Sequence, residues 1–281
     1  MKLVTYEIAG RRGVGLLKNN AVVDLTAAGL PAIMREFIAG GASTLQRAAA
    51  IDTPLLPLNE LRLLAPVPDP LKIIAIGLNY MDHCREQNVA VPTSPLVFAK
   101  FPSSIIGPED AICFDPALTN QVDWEAELGV IIGKRARRVS RTDALSYVFG
   151  YTPLNDVSAR DLQFGDRQWV RGKSLDTFCP IGPAIITADE IPDPQALHIL
   201  SRVNGVIMQN SSTSEMIFPV DELIAFLSNA FTLEPGDIIA TGTPDGVGVF
   251  RNPKVFLQNG DRVEIEIEKV GLLSNPVKTI S

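Results

Sequence analysis

Glycine and proline punctuate this chain from end to end, 21 of each among 281 residues. Both break helices. Between them lie many Val- and Ile-rich runs of four to eight residues, the length of strands rather than of helices. No apolar run reaches the roughly 18–20 residues of a helical membrane span. A chain divided in this way is expected to fold mostly as β structure with a few helices, an α+β arrangement. Its hydrophobic fraction of 46% is enough for a substantial core.

The pattern also suggests where the chain divides. Residues 2–25 read as a small meander with a tight turn at Asn19-Asn20, and residues 31–51 as two helical segments broken at 40–43. Three prolines within 66–70 mark a boundary near 70, giving a small α+β N-terminal domain (1–70) and a larger second domain (71–281). In the larger part, Asn204-Gly205 suits a type I′ hairpin turn. Residues 220–231 carry apolar side chains at helical spacing, and DRVEIEIEKVG alternates strictly as a terminal strand.

Composition narrows the function. Net charge is −7, and no basic cluster exceeds GKRARR at 133–138, which argues against a nucleic-acid partner. The three cysteines form no CxxC pair and are odd in number, so a disulfide framework is not expected. The N-terminus lacks the apolar stretch of a signal peptide, which reads as a cytoplasmic protein.

The segment QVDWEAELGVIIGK (121–134) carries the chemistry. As a strand it would place Asp123, Glu125 and Glu127 on one face, about 7 Å apart. Such a row is either a solvated edge face or a cluster that needs a counter-ion. Asp156, in the loop PLNDVSARD, offers a further carboxylate from a second segment. Oxygen ligands of this kind suit Mg²⁺ or Mn²⁺. Zinc is disfavoured, since His83 and His198 are the only histidines and the cysteines are scattered. His198, on a hairpin strand with Leu200 and Arg202, reads as structural. His83 and Glu86 share one side of a helix if MDHCREQN is helical. They are then either an exposed surface pair or a carboxylate-oriented base. Lys173 in RGKSLD reads as a surface lysine or a site residue. No GxSxG or P-loop is present, although the glycines of GTPDGVG (242–248) let backbone amides approach an anion.

Taken in order, GLNYMDHCRE, DWEAELGVIIGK, GYTPLNDVSARDLQ, RGKSLDTFCPIGP, NGVIMQNSST and LEPGDIIATGTPDGVG resemble the fumarylacetoacetate hydrolase family over roughly residues 71–270. The resemblance implies a predominantly β roll around a mixed sheet, usually a homodimer. It implies that Glu125, Glu127 and Asp156 hold a divalent ion, commonly Mg²⁺, with Mn²⁺ or Ca²⁺ as alternatives. Asp123 has no ligand role in that pattern, and Ile76 stands where some members carry an additional Asp ligand. His83 and Glu86 become the base pair on a mobile lid, and Lys173 the active-site lysine. Arg160, Gln163 and Thr243 become substrate contacts. The implied reaction is hydrolytic cleavage of a carbon–carbon bond in a 2,4-dioxo acid such as an acylpyruvate, through a metal-bound enolate. Alternatives at the same site are oxaloacetate decarboxylation and keto–enol isomerisation of dienedioates in aromatic catabolism. A non-catalytic metal- or oxo-acid-binding protein would have no need of His83, Glu86 and Lys173 together.

Overall fold

A computed structural model of the chain describes residues 1–280. The mostly β expectation holds. Ten strands follow one path across the largest sheet: Leu55–Pro57, Ala21–Asp24, Arg11–Lys18, Lys2–Ile8, Ile185–Thr187, Val148–Asn155, Ala126–Ile132, Ile238–Ala240, Ile73–Gly77 and Leu96–Lys100. Arg62–Leu64 adds an eleventh strand beside Lys2–Ile8. The sheet is mixed, because Ile238–Ala240 runs parallel to Ile73–Gly77 while the other pairs on the path are antiparallel. A five-stranded sheet packs against it, in the order Val206–Ser212, His198–Val203, Arg262–Ile267, Gly271–Thr279 and Ile112–Phe114.

The main core lies between the two sheets. Ala126, Leu128, Val130 and Ile132 contribute one face of their strand to it, together with Ile199, Ile265 and Leu273. Ile131 packs on the other side with Leu154, Ile73 and Ala75. The strand is therefore buried on both faces, as expected for a central strand flanked by Val148–Asn155 and Ile238–Ala240. Helix Val220–Ala230 lays Val220, Leu223, Ile224 and Leu227 on the same core, as their spacing predicts. At the hairpin turn, Asn204 and Gly205 have φ of 52° and 78°, both positive as type I′ requires.

Two elements differ from the sequence reading. The acidic segment is not one strand. Val122–Asp123 pairs with Ser158–Ala159, while Ala126–Ile132 pairs with Val148–Asn155. At the break, the Glu125 amide donates to Asn155 Oδ1 (3.0 Å) and the Ala126 amide to Gln209 Oε1 (2.9 Å). Side-chain acceptors replace the ladder there and satisfy buried donors. Nor is DRVEIEIEKVG terminal, since Gly271–Thr279 returns beside it. That last strand was hidden by Ser274, Asn275 and Pro276. Asn275 is nevertheless buried, and its amide donates to the carbonyls of Gly107 and Asp110, both at 2.9 Å.

Asn79 ties the end of Ile73–Gly77 to two other segments. Its amide donates to the carbonyls of Thr241 (2.7 Å) and Phe218 (3.1 Å), and its Oδ1 accepts from the Phe218 amide (2.9 Å). Asn79 is fully buried. Asn79→Ala would strand these groups without water, and the expected loss of about 3 kcal/mol is measurable by urea unfolding.

Candidate active site and metal centre

The break in the acidic segment brings three carboxylates together. Ala126 pairs with Asn155, so Asp156, one residue further, lies opposite Glu125. The Asp156 amide donates to the Glu125 carbonyl at 3.0 Å. Glu125, Glu127 and Asp156 each offer one oxygen, all within 4.8 Å of one another, and all three residues are buried.

Three cations offset this charge. Lys173 Nζ lies 2.6 Å from Glu125 Oε2 and 2.9 Å from Asp156 Oδ2. Arg160 contacts Glu125 Oε1 at 2.7 Å and Asp123 Oδ2 at 2.8 Å. Lys100 Nζ lies 2.6 Å from Asp156 Oδ1 and also donates to the Lys173 carbonyl. Burial by itself would raise the Glu125 carboxyl, but Lys173 and Arg160 outweigh it and hold the group at about 2. Lys173 is raised: burial opposes its charge, and Asp156 and Glu125 more than restore it. Glu127 differs. It pairs with no lysine or arginine among the described residues, and its Oε2 accepts only the Gly242 amide (2.9 Å). Burial, then Asp156 and Glu125, push its carboxyl well above the usual range.

This donor set fits a hard divalent cation. It is all oxygen, it converges, and its one uncompensated member is a carboxylate that favours a proton unless further positive charge is supplied. Asp123 is buried apart from this group. It accepts the amides of Trp124 (2.9 Å), Gly248 (2.7 Å) and Val249 (3.0 Å) besides Arg160.

MDHCREQN is indeed helical at its start, with Met81–Gln87 forming the turn that carries His83. Its Nδ1 lies 2.8 Å from Glu86 Oε2 and its Nε2 2.7 Å from Gln87 Nε2. The carboxylate at Nδ1 orients the ring and leaves Nε2 facing the Gln87 amide. Glu86 Oε1 accepts the Gly246 amide at 2.9 Å. The Gly-rich loop thus turns its amides towards anions, but those anions are the protein's own carboxylates: Glu127, Glu86 and Asp123.

His83, Glu125, Glu127, Arg160, Gln163, Lys173 and Thr243 line one cleft of about 70 Å³. Glu86 lies behind His83, and Asp156 behind Lys173. Gln163 accepts from Arg160 (2.9 Å), and Thr243 accepts from Gln209 (2.8 Å). His198 lies far from this group in kind as well as place: it is exposed and pairs with Asn210 across its hairpin. Sequence reasoning missed Lys100, Gln87 and Gln209. A lone lysine inside the apolar run LVFAKF was the available signal for Lys100.

Two outcomes follow from this charge arrangement. Lys100→Met leaves part of the Asp156 charge unpaired and is expected to cost about 3–5 kcal/mol in urea unfolding, with part of the loss recovered on adding Mg²⁺. Because burial, Asp156 and Glu125 raise the Glu127 carboxyl, Mg²⁺ binding is expected to release a proton, which calorimetry in buffers of different ionisation enthalpy would register. Affinity should weaken as pH falls and protons compete for that carboxyl.

Comparison with known proteins places this geometry. Residues 72–278 match the family described as fumarylacetoacetate (FAA) hydrolase C-terminal. A mitochondrial oxaloacetate tautomerase from Bos taurus is 50% identical over 288 aligned positions, covering 99% of this chain and 91% of that protein. The solved fumarylacetoacetate hydrolase of Exiguobacterium antarcticum superposes with a TM-score of 0.90 at 42% identity, covering all of both chains. A 2-hydroxyhepta-2,4-diene-1,7-dioate isomerase from Mycobacterium marinum has a TM-score of 0.81 at 33% identity, over 99% of this chain and 98% of that one. The expectation of a cytoplasmic protein is overturned by these relatives, since those about half identical to the chain are named mitochondrial. No helix among the described residues is long and apolar enough to cross a membrane. Matched across three quarters of its length by the family's own signature and across nearly all of it by these relatives, the chain belongs to the fumarylacetoacetate hydrolase family.

Proposed function

We propose that this chain is a divalent-metal-dependent enzyme that interconverts the keto and enol forms of a small 2-oxo diacid, oxaloacetate. One observation carries the reading: half-identity over 99% of the chain to proteins named oxaloacetate tautomerase. Carbon–carbon hydrolysis, the reaction favoured from sequence, becomes the second reading. It is supported by the His83–Glu86 pair, which could activate water, and by the name of the Exiguobacterium hydrolase.

Glu125, Glu127 and Asp156 would hold the ion, with Mg²⁺ the best fit to the donor set. When bound, it supplies a Lewis acid that polarises the 2-oxo group. The chain's own side chains do the rest. Arg160, Gln163 and Thr243 take the substrate's polar ends. The Lys173 ammonium faces the cleft and stabilises negative charge as it develops on the 2-oxo oxygen. His83 Nε2 accepts a proton from C3, while Glu86 on Nδ1 stabilises the imidazolium that forms. His83 then returns that proton to the oxygen, giving the enol, and the reverse path restores the ketone. No water is consumed and no bond to carbon breaks except C–H. Gln87, which contacts Nε2 in the site without substrate, has to give up that contact for the proton transfer to occur.

The test follows the enol absorbance of oxaloacetate with Mg²⁺ present, alongside pyruvate and acid release from oxaloacetate and from acylpyruvates. Faster enol decay without product acids is the expected result. Acylpyruvate cleavage without faster enol decay would overturn the reading in favour of hydrolysis. His83→Asn should lower turnover by about 10²–10⁴-fold and leave Mg²⁺ affinity within a few-fold of native. Native turnover in that variant would remove His83 from the base role.

A further inference from the structure

The floor of the cleft is charged and buried, but its rim is aromatic. Trp169, Phe98 and Phe164 form this part of the lining with Gly77. Trp169 is half-buried, and Phe164, at 58% exposed, faces solvent. Trp169 lies one turn before Lys173, whose amide donates to the Trp169 carbonyl at 3.1 Å. The indole is therefore carried on the same short helical segment as the ammonium on the floor. Its ring stands edge-on to Phe98, with centroids 5.4 Å apart and planes at 73°.

Gly77 makes room for the indole. It ends the strand Ile73–Gly77, and positive φ does not require glycine there. What requires it is the ring itself: a Cβ at 77 would collide with Trp169 Cζ3, lie 3.0 Å from Cη2 and lie 3.2 Å from Leu96 Cδ2. The missing side chain at 77 is the slot that the indole fills. With the ring seated, the cleft measures about 70 Å³. The indole and Phe98 narrow the mouth through which any tail on a bound acid would have to pass.

We infer that Trp169, seated against Gly77, is the specificity-determining residue that limits the length of 2-oxo acid the site accepts. This deepens the tautomerase reading and rests on its assignment of the carboxylate-binding floor. A substrate anchored there has its tail directed towards the rim. A tail beyond four carbons meets the indole, which is backed against Gly77 and cannot withdraw in that direction.

The test measures Mg²⁺-dependent protection against thermal unfolding by oxaloacetate, 2-oxoglutarate and 2-oxoadipate, a ladder of four, five and six carbons. The native protein should prefer the four-carbon acid over the six-carbon one by at least about 10-fold. Trp169→Ala should abolish or invert that preference while keeping Mg²⁺ affinity. Gly77→Ala should drive the ring into the cleft and weaken the four-carbon acid several-fold, again with Mg²⁺ affinity kept. An unchanged ladder in Trp169→Ala, or native four-carbon affinity in Gly77→Ala, overturns the inference. A protein that shows the expected ladder yet fails to accelerate enol decay overturns the tautomerase reading instead.

Discussion

Three converging carboxylates and a fourth beside them are buried, and the rest of the site is a consequence of that burden. An isolated carboxylate moved into the interior carries a penalty of several kcal/mol even after relaxation. Two like charges about 4 Å apart add repulsion of roughly 4 kcal/mol at an effective dielectric constant near 20. Neither cost is tolerable unless opposite charge is equally close. Lys173, Arg160 and Lys100 provide it, from a short helical segment, a second helix and the edge strand Leu96–Lys100. The acidic segment thereby dictates what three separate parts of the chain must present to it. The three glycines of GTPDGVG add backbone amides to this set, from Gly242 to Glu127, Gly246 to Glu86 and Gly248 to Asp123. At Gly248 a Cβ would strike the Val255 carbonyl and lie 2.8 Å from Asp123 Oδ1.

The compensation is deliberately uneven in its effect. Asp123 is saturated by one guanidinium and three amides, which makes it a fixed brace between the acidic segment and the loop. Glu125 is held ionised by two cations. Glu127 has one amide and no cation, and its carboxyl rises accordingly. A site balanced by its own lysines at every oxygen would have no use for a metal. Here the imbalance is confined to one residue facing the cleft, where either a proton or an added cation completes the set.

Much of this could be read before any coordinates. Alternation placed Glu125 and Glu127 together, punctuation marked the hairpin at Asn204-Gly205, and helical spacing found 220–231. What could not be read follows from physics that is not local. Period-two alternation continues straight through Trp124, because the break there is set by Asn155 and Gln209, distant acceptors that no window around the segment contains. Lys100 was overlooked because a single charge in an apolar run looks like a tolerated exception until its partner, 56 residues away, is known. The return strand Gly271–Thr279 was masked by a buried Asn275, a residue type ordinarily associated with turns. The Gly-rich loop was rightly read as anion-binding, but sequence gives no sign that its anions belong to the protein.

The same considerations explain why the carboxylates cannot by themselves identify the reaction. Hydrolysis, decarboxylation and tautomerisation of 2-oxo acids all develop negative charge at the same oxygen, so all are served by the same floor. They differ in what meets the carbon skeleton. Hydrolysis needs a water aimed by the base and room for a leaving fragment. Tautomerisation needs only a base that can take a proton and give it back. In this site an amide contacts His83 Nε2, Phe250 stands edge-on to the imidazole at 5.8 Å, and the indole lines the rim. Each of these narrows the space around the imidazole, and the Gln87 contact has to open before Nε2 can take a proton in any of the candidate reactions. The charged floor supplies what every candidate reaction shares, and the walls of the cleft are where those reactions would be told apart.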